Sequence, residues 1–135
     1  MTKEALCAMA HKAMENAYVP YSGFRVGAAL LCADGAVYTG CNIENASFTP
    51  TVCAERTAIF KAVSEGKRDF SAVAVASGKD GGEAASFPPC GVCRQVLAEF
   101  CSPDMPVYVL QGSGEIREYT LKDLLPFAFT PKFMK

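Results

Sequence analysis

The sequence predicts an α/β fold, a three-layer α/β/α sandwich built around a mixed five-stranded sheet. Two observations indicate this fold. Apolar runs of strand type alternate with helical segments in the middle of the chain, and helical crossovers imply parallel strands that are covered on both faces. Turn sequences near both ends, at residues 34–35 and 112–114, predict hairpins and therefore antiparallel pairs. With 135 residues, the chain is expected to form one domain, residues 1–135, with its own hydrophobic core.

The first predicted elements are a helix and a hairpin. Apolar residues recur every three or four positions in the N-terminal segment, which predicts an amphipathic helix that must end before Pro20. Residues 26–32 form an apolar run typical of a buried strand, and residues 37–41 are expected to pair with it across the Asp-Gly turn. The apolar positions of the helix are Leu6, Met9, Ala10, Ala13 and Ala17.

The rest of the chain alternates helices with strands and ends in a second hairpin. A polar loop precedes a helix that Gly66 is expected to end. A Gly- and Pro-rich loop at residues 78–89 leads to the next helix. The predicted elements are, in order, a helix at 53–65, a strand at 71–77, a helix at 93–101, strands at 105–111 and 115–120, and a short helix at 121–127.

Composition argues against several partners and locations. The net charge is −1, the isoelectric point is near 5.8, and the 13 Lys and Arg residues are scattered. A nucleic-acid polymer is not expected as a partner, because proteins that bind one carry a basic surface. Membrane association is not expected either, since the longest apolar run is far shorter than the roughly 20 residues that span a bilayer, and the N-terminus lacks a signal-peptide core. Seven cysteines without the spacing of a disulfide framework predict a reducing, cytoplasmic location.

Three of these cysteines carry the strongest functional signal. Cys53 and the Cys-x-x-Cys pair of Cys90 and Cys93 stand where two helices are expected to begin. The free N–H groups and partial positive charge of a helix N-terminus stabilise thiolates, which is the ionisation state that zinc requires. If the two helices start side by side, the three thiolates converge. Three protein ligands leave one position open for water, as in catalytic zinc sites that perform metal-assisted hydrolysis.

Other interpretations of these cysteines stay open at this point. A closed, structural zinc site would need a fourth protein ligand. In principle this could be Cys7, Cys32, Cys41, Cys101 or His11, although none of them belongs to a second closely spaced pair. The Cys-x-x-Cys pair could also be a redox motif or two inert thiols. The corresponding alternative function is a zinc-stabilised binding module without activity.

Glu55 and Arg56 complete the expected site. A carboxylate beside an open metal position can take a proton from water and deliver it elsewhere, which predicts a catalytic role for Glu55. Residues two apart on a helix diverge, so Cys53 is expected to lie just outside it. The alternative is that Glu55 only interacts favourably with the helix dipole. Zinc with three thiolates carries a net negative charge, which Arg56 is expected to offset; Arg94 also follows a cysteine closely.

Several segments resemble the small cytidine deaminases, in the order in which that family has them. The Glu and Pro-Cys-x-x-Cys pattern of the zinc nucleoside deaminases is present as CAE at residues 53–55 and PCGVC at residues 89–93. The similarity extends over nearly the whole chain. It is carried by the segments PYSGFRVGAAL, CNIENASF, CAERTAIFKAVSEG, PCGVCRQVLAEF and LLPFAF.

The resemblance implies hydrolytic deamination of free cytidine and 2′-deoxycytidine to the uridine nucleosides, with release of ammonia, as in pyrimidine salvage. It implies one zinc ion per subunit, bound by Cys53, Cys90 and Cys93, with Glu55 moving protons. The backbone groups of Ala54 and Cys90 would contact the polar edge of the base. The resemblance further implies a homotetramer in which neighbouring subunits complete one another's active sites.

The resemblance also assigns side-chain contacts to the substrate. Asn42 and Glu44 would hydrogen-bond the 3′-hydroxyl of the sugar, for which an amide and a carboxylate are suited. Phe24 would pack against the pyrimidine ring. Phe129 would reach the active site of a neighbouring subunit. Without the resemblance, these residues are expected to be a polar loop and two core phenylalanines.

The sequence departs from the family pattern in two places. Two other kinds of deaminase are also alternatives for the function of this chain. The loop at residues 78–89 is longer than usual, and Phe48 stands where tyrosine is common. A deaminase of the antibiotic blasticidin S has similar zinc motifs, but the Asn42 and Glu44 pair argues against it. A nucleic-acid editing enzyme is disfavoured by the acidic charge balance, by the terminal hairpin strand and by Cys53 in place of that group's histidine.

Overall fold

In the computed structural model, which describes residues 1–79, 82 and 84–134, the chain forms the expected three-layer sandwich. Within these residues the α-helices are α1 (Lys3–Ala13), α2 (Ala54–Ser64), α3 (Gly91–Phe100) and α4 (Leu121–Leu124), with 3₁₀ helices at Met14–Asn16 and Pro131–Met134. The strands are β1 (Phe24–Cys32), β2 (Val37–Cys41), β3 (Phe70–Lys79), β4 (Ala84–Ala85), β5 (Pro106–Leu110) and β6 (Ile116–Thr120). No helix in the described part of the chain is long and apolar enough to cross a membrane.

The sheet is mixed, as predicted, but it has six strands, so the expected number of five was wrong. The order is β2-β1-β3-β5-β6, and β4 pairs with β3 outside this path. The extra strand, β4, has two residues and lies in the segment that the sequence predicts as a loop. So short a strand shows no periodicity, which explains the error. Residues 80, 81 and 83 of that predicted loop lie outside the described residues.

The two helical crossovers connect strands that run in the same direction, as expected. β3 and β5 are parallel neighbours, with α3 between them in the chain. β2 and β3 are connected through α2, but β1 lies between them and pairs antiparallel with both. The carboxyl ends of β2, β3 and β5 therefore lie at one edge of the sheet, and α2 and α3 begin beyond that edge. Ligand sites of open α/β sheets form in this place.

Each face of the sheet is covered by its own helices. The face under α1 has small side chains, so that Leu6 and Ala10 of the helix pack on Ala29 and Ala74. The opposite face carries larger side chains and is covered by α2 and α3. Buried residues that share this second core are Ile59, Leu97, Val73, Val107 and Val109.

Two glycines let helices approach the sheet very closely. A Cβ atom at Gly27 would lie 2.0 Å from the carbonyl oxygen of Ala10 in α1. A Cβ atom at Gly40, on β2, would lie 2.5 Å from the carbonyl oxygen of Ala54 and 2.6 Å from the backbone nitrogen of Ala58. These distances are far below van der Waals contact, so a larger residue fits only if the backbone moves. Gly40 thereby sets where the first turn of α2 lies.

Candidate metal and catalytic site

The first half of the site is the start of α2. Cys53 is the N-cap residue, with an extended backbone (φ −79°, ψ 157°). Because Cys53 lies outside the helical turn, its thiol does not diverge from the Glu55 side chain as residues two apart on a helix do. Thr57 ties this start to the sheet, since its hydroxyl lies 3.0 Å from the carbonyl oxygen of Cys41 and 3.3 Å from that of Cys53.

The second half is the start of α3, which comes two residues earlier than predicted. The helix begins at Gly91, so Cys90 is its N-cap (φ −68°, ψ 169°) and Cys93 lies within its first turn. Glycine has a low helix propensity, which is why the sequence predicted a start at Cys93 instead. Cys53 and Cys90 are thus both N-cap residues, and their thiols lie at the positive ends of two helices.

The three predicted thiols come together between these two helix starts. The Sγ atom of Cys53 lies 3.7 Å from that of Cys90, which lies 3.4 Å from that of Cys93. A tetrahedral zinc ion with Zn–S bonds of about 2.3 Å needs sulfur atoms roughly 3.8 Å apart, so this donor set fits zinc. In the part of the chain that the structure describes, no other group of three potential ligands lies close enough to hold a metal ion.

Cys53 carries a negative charge more readily than Cys93 does. A hydrogen bond from the Cys93 thiol and the nearby guanidinium of Arg56 lower the pKa of Cys53 to about 5. Conversely, the hydrogen bond to Cys53 and burial raise the pKa of Cys93. Nη2 of Arg56 donates to Sγ of Cys53 at 3.4 Å, and this contact raises the pKa of the guanidinium in return. Arg56 therefore contacts one of the thiols whose charge the sequence predicted it to offset.

Glu55 is buried beside the thiols. The residue is only 4% exposed, and burial raises the pKa of its carboxyl to about 7, with a smaller contribution from the charge of Cys53. A carboxyl with a pKa near neutrality can both accept a proton and return it, as general acid–base catalysis needs. A carboxylate that served only the helix dipole would be more stable in water than in this buried position.

Sequence reasoning missed the structural role of Arg94. Its Nε atom donates to the carbonyl oxygen of Pro89 at 2.7 Å, and Nη1 donates to that of Leu124 at 2.7 Å. The guanidinium thus ties the residue before Cys90 to the last residue of α4. Both acceptors are backbone carbonyls, which every residue possesses, so no sequence pattern could have indicated them.

Asn42, predicted to bind the sugar, supports the start of β1. Its Oδ1 atom accepts from the backbone N–H of Val26 at 2.9 Å, and Nδ2 donates to the carbonyl oxygen of Phe24 at 2.8 Å. The second amide hydrogen and the remaining lone pair of Oδ1 keep the capacity for a ligand. The amide therefore both supports the fold here and is able to bind a hydroxyl.

Glu44, the other predicted sugar residue, is held by the segment before β1. Its Oε1 atom accepts from the backbone N–H groups of Tyr21 at 3.0 Å and Ser22 at 3.1 Å, and the Ser22 hydroxyl donates to Oε2. The hydrogen bonds from Ser22 and Tyr21 lower the pKa of Glu44, so the carboxylate is charged. A charged carboxylate is a strong acceptor for a sugar hydroxyl.

Phe24, predicted to contact the base, begins β1 and is 37% exposed. Its ring packs edge-to-face with that of Phe87, with the ring centroids 5.6 Å apart and the planes at 69°. Sequence reasoning did not single out Phe87. The available signal was weak, an aromatic residue directly before the Pro-Pro-Cys run.

The two remaining predicted residues lie in different parts of the molecule. Ala54 is the first residue of α2 and is fully buried, so its contribution to a ligand site is restricted to its backbone. Phe129 lies in the C-terminal segment, where its carbonyl oxygen accepts from Nε2 of Gln95 at 2.9 Å. The Phe129 ring is 61% exposed and stacks on Phe133, with the centroids 5.7 Å apart. Its described ring contact is thus with the C-terminal segment, not with Phe24.

Known proteins are similar to this chain over most of their length. The family model described as "Cytidine and deoxycytidylate deaminase zinc-binding region" matches residues 1–109. A cytidine deaminase of Sporosarcina psychrophila is 55% identical over 130 residues, which cover 96% of this chain and 93% of the relative. One of Halalkalibacterium halodurans is 53% identical over 134 residues, covering 99% and 98%. A crystal structure of cytidine deaminase from Burkholderia pseudomallei superposes with a TM-score of 0.87 and 47% identity, covering 96% of this chain and 100% of that one.

Proposed function

Because this chain belongs to the cytidine and deoxycytidylate deaminase family, we propose that it deaminates free cytidine and 2′-deoxycytidine by hydrolysis. Water replaces the amino group at C4 of the base, and the products are the uridine nucleoside and ammonia. The observation that supports this most directly is the meeting of three cysteine thiols beside the buried carboxyl of Glu55. An activity of this kind serves pyrimidine salvage, since it converts one free nucleoside into another.

Cys53, Cys90 and Cys93 would hold one zinc ion per subunit. When bound, zinc supplies the Lewis acidity that makes water a nucleophile near neutral pH. The N-termini of α2 and α3 favour the thiolate forms that this ligand set needs. Counted over the described residues, the cluster has three members rather than four, which supports an open, catalytic site over a closed structural one.

Glu55 moves the protons of the reaction. Its carboxylate takes one proton from the attacking water and delivers it to ring nitrogen N3, while the water oxygen bonds to C4. In the tetrahedral stage that follows, Glu55 takes the second proton from that oxygen and passes it to the amino group. The C4–N bond then breaks, ammonia leaves, and the C4 carbonyl forms. Glu55 ends the cycle ionised, as it began, and the raised pKa of its carboxyl suits both transfers.

The nucleoside would be bound along the edge where β1 begins. Phe24 offers an apolar ring face to the pyrimidine, and the backbone groups of Ala54 and Cys90 meet its polar edge. Asn42 and Glu44 hydrogen-bond the 3′-hydroxyl of the sugar. This last contact excludes polymers, because the 3′-oxygen of an internal nucleotide carries a phosphodiester. Free nucleosides are therefore the proposed substrates, and nucleic-acid polymers are not.

Arg56 would offset the negative charge of the metal-thiolate cluster through its contact with Cys53. Replacement by glutamine keeps a polar side chain but removes the positive charge. Loss of one charge-assisted hydrogen bond should lower kcat by about tenfold. Zinc content and cytidine turnover of Arg56→Gln check this. A zinc-loaded variant with unchanged kcat would argue that Arg56 has only a structural role.

The proposed assembly is a homotetramer whose subunits complete one another's sites through Phe129. The C-terminal segment exposes the rings of Phe127, Phe129 and Phe133. An open groove of about 490 Å³ lies between this segment and the second half of α3. Exposed apolar patches of this kind mark interaction surfaces. Sedimentation velocity tests the assembly, and a monomer that keeps full activity would contradict it.

The proposed location is the cytoplasm. All seven cysteines of the chain are free thiols, which suits a reducing compartment. No membrane and no nucleic acid takes part in the proposed reaction, so the substrate is the only partner besides further copies of the chain. Comparison of the labelled protein in fractionated cells would test the location directly.

The decisive experiment follows the ultraviolet absorbance of cytidine and of deoxycytidine with purified protein, alongside Glu55→Gln. The parent should convert both nucleosides, whereas Glu55→Gln should keep its zinc and lose roughly 10²- to 10⁴-fold in kcat. Glu65→Gln is the matched control, because that exposed residue is the C-cap of the same helix and should leave turnover unchanged. Bound zinc without turnover of either nucleoside would refute the proposed substrates, and blasticidin S would be assayed next.

A further inference from the structure

We propose that Phe87 is a positioning residue, which holds the ring of Phe24 in the orientation that the pyrimidine base needs. This inference rests on the proposed function, in which Phe24 packs against the base. The two rings meet edge-to-face, with centroids 5.6 Å apart and an angle of 69° between the planes. This geometry is a favoured one for aromatic pairs and stabilises a particular ring orientation, not only burial.

Phe87 is presented by an ordered support. The preceding residues Ala84 and Ala85 pair with β3 opposite Gly78 and Ser77. This pairing attaches the segment to the strand that neighbours β1, on which Phe24 lies. The backbone that leads to Phe87 is therefore anchored to the sheet, although its segment has little regular structure of its own.

A second attachment joins this segment to the turn between β5 and β6. The Oγ atom of Ser86 accepts from the backbone N–H of Gly112 at 2.9 Å. On its other side, Phe87 is followed by Pro88 and Pro89, whose rings restrict the backbone as far as Cys90. Pro89 is fully buried. Phe87 is thus connected to the proposed metal site through a short and stiff piece of chain.

The exposure of the two rings indicates that their contact leaves room for a third partner. Phe24 is 37% exposed and Phe87 is 47% exposed. In an edge-to-face pair, each ring covers at most one face of the other, so at least one face of Phe24 is not covered by Phe87. The backbone of Phe24 is fixed by Asn42 at 2.8 Å, but a phenylalanine ring still rotates about its side-chain bonds. Phe87 removes this remaining freedom.

The test compares Phe87→Ala with Phe60→Ala, since Phe60 has nearly the same exposure, 48%, but lies on α2. Phe87→Ala should raise KM for cytidine about 3- to 10-fold, as expected from the loss of an aromatic pair, with kcat changed less than twofold. Phe60→Ala should leave both constants unchanged. Phe87→Tyr should restore KM because it keeps the ring, and Phe87→Leu should not.

A double-mutant cycle with Phe24→Ala shows whether Phe87 acts through Phe24. In the Phe24→Ala background, Phe87→Ala should raise KM no further. The inference would be overturned by an unchanged KM in Phe87→Ala. It would also be overturned if Phe87→Ala raised KM equally in the parent and in Phe24→Ala, or if it lowered zinc content and kcat together. If Phe87→Ala does not fold, the KM values of Phe87→Leu and Phe87→Tyr are compared instead, and equal values would overturn the inference. Turnover by the parent is read in the same assay, so absence of cytidine deamination would refute the proposed function and not this inference alone.

Discussion

The two helix starts that carry the cysteines are supported in different ways. The start of α2 rests on the sheet, because Gly40 lets its first turn lie against β2 and the Thr57 hydroxyl bonds to the carbonyl oxygen of Cys41. The start of α3 rests on the C-terminal part of the chain through Arg94. The proposed ligand at its N-cap, Cys90, is exposed. One half of the candidate site thus rests on the sheet, whereas the other half joins a buried thiol, Cys93, to an exposed one, Cys90, whose segment is held by the C-terminal part of the chain.

Because of this difference, we expect the position of the Glu55 carboxyl and the retention of zinc to respond to different substitutions. The carboxyl of Glu55, proposed to be catalytic, and the proposed ligand Cys53 are positioned by core packing, so they should tolerate little change in the sheet. The proposed ligand Cys90, at the exposed start of α3, depends on the hydrogen bonds that Arg94 makes to the backbone around it, so changes there should affect zinc retention before they affect global stability. The following substitutions, ordered by expected effect, test this distinction.

Gly40→Ala should have the largest effect. The new Cβ atom would lie 2.5 Å from the carbonyl oxygen of Ala54, so the start of α2 must shift. Overpacking against backbone costs about 3 kcal/mol, which lowers Tm by roughly 10 °C in a chain of this size. Thermal unfolding and cytidine turnover should both decline. A variant with the Tm of the parent would show that α2 is not fixed by this contact.

Arg94→Met should come next. The change keeps the length of the side chain but leaves the carbonyl oxygens of Pro89 and Leu124 without their charged donor, at a cost of about 2 kcal/mol. Zinc should dissociate more readily in competition with a chelator. Arg68→Met is the control, because Arg68 also donates to two backbone carbonyls but at an exposed site after α2. Equal zinc retention in both variants would contradict the proposal that zinc binding depends on the support of the start of α3.

Thr57→Val should cost about 1 kcal/mol, because it removes a hydroxyl that bonds to the end of β2 without changing the volume much. Urea denaturation measures the change. Ser64→Ala removes a hydroxyl that bonds within the same helix, to Lys61, and should cost less. A larger loss in Ser64→Ala would show that the tie between α2 and the sheet contributes little.

Gly91→Ala should have the smallest effect, and its sign should be opposite. A Cβ atom at Gly91 would meet no atom within 4 Å, in contrast to Gly40. Alanine at the first position of α3 should stabilise the fold by about 0.5 kcal/mol, because it reduces the freedom of the unfolded chain. A small rise in Tm with normal zinc content checks this. A clear loss of stability would mean that the start of α3 is as tightly packed as that of α2.

Much of the fold and the identity of the candidate site residues could be predicted because chemistry restricts the choices. Zinc is bound by few side-chain types, and thiolates at close spacing are among the most characteristic, which points to Cys53, Cys90 and Cys93 among 135 residues. The Asp-Gly turn predicted the hairpin, and β2 begins and ends where expected, at Val37–Cys41. In these cases the residue types alone are enough to predict the metal site or the turn.

The rest could not be predicted, because it depends on atoms that every residue has or on the path of a loop. Arg94 bonds to the carbonyl oxygen of Leu124, 30 positions away, and a backbone acceptor leaves no trace in the sequence. The contact between Phe24 and Phe87 depends on the pairing of β4, which is too short to show a pattern. The start of α3 at Gly91 was missed because glycine has a low propensity for helix interiors, whereas Gly91 is the first residue of the helix.

The exposure of Cys90 also has a consequence for how the protein can be handled and assayed. Four of the seven thiols are buried, Cys41 and Cys53 are half-buried, and Cys90 is exposed. An alkylating or oxidising reagent should therefore reach a proposed metal ligand first, and coordination would shield that sulfur from attack. The number of rapidly reacting thiols then reports metal occupancy, so a colorimetric thiol titration can count loaded subunits in a preparation before any substrate is added.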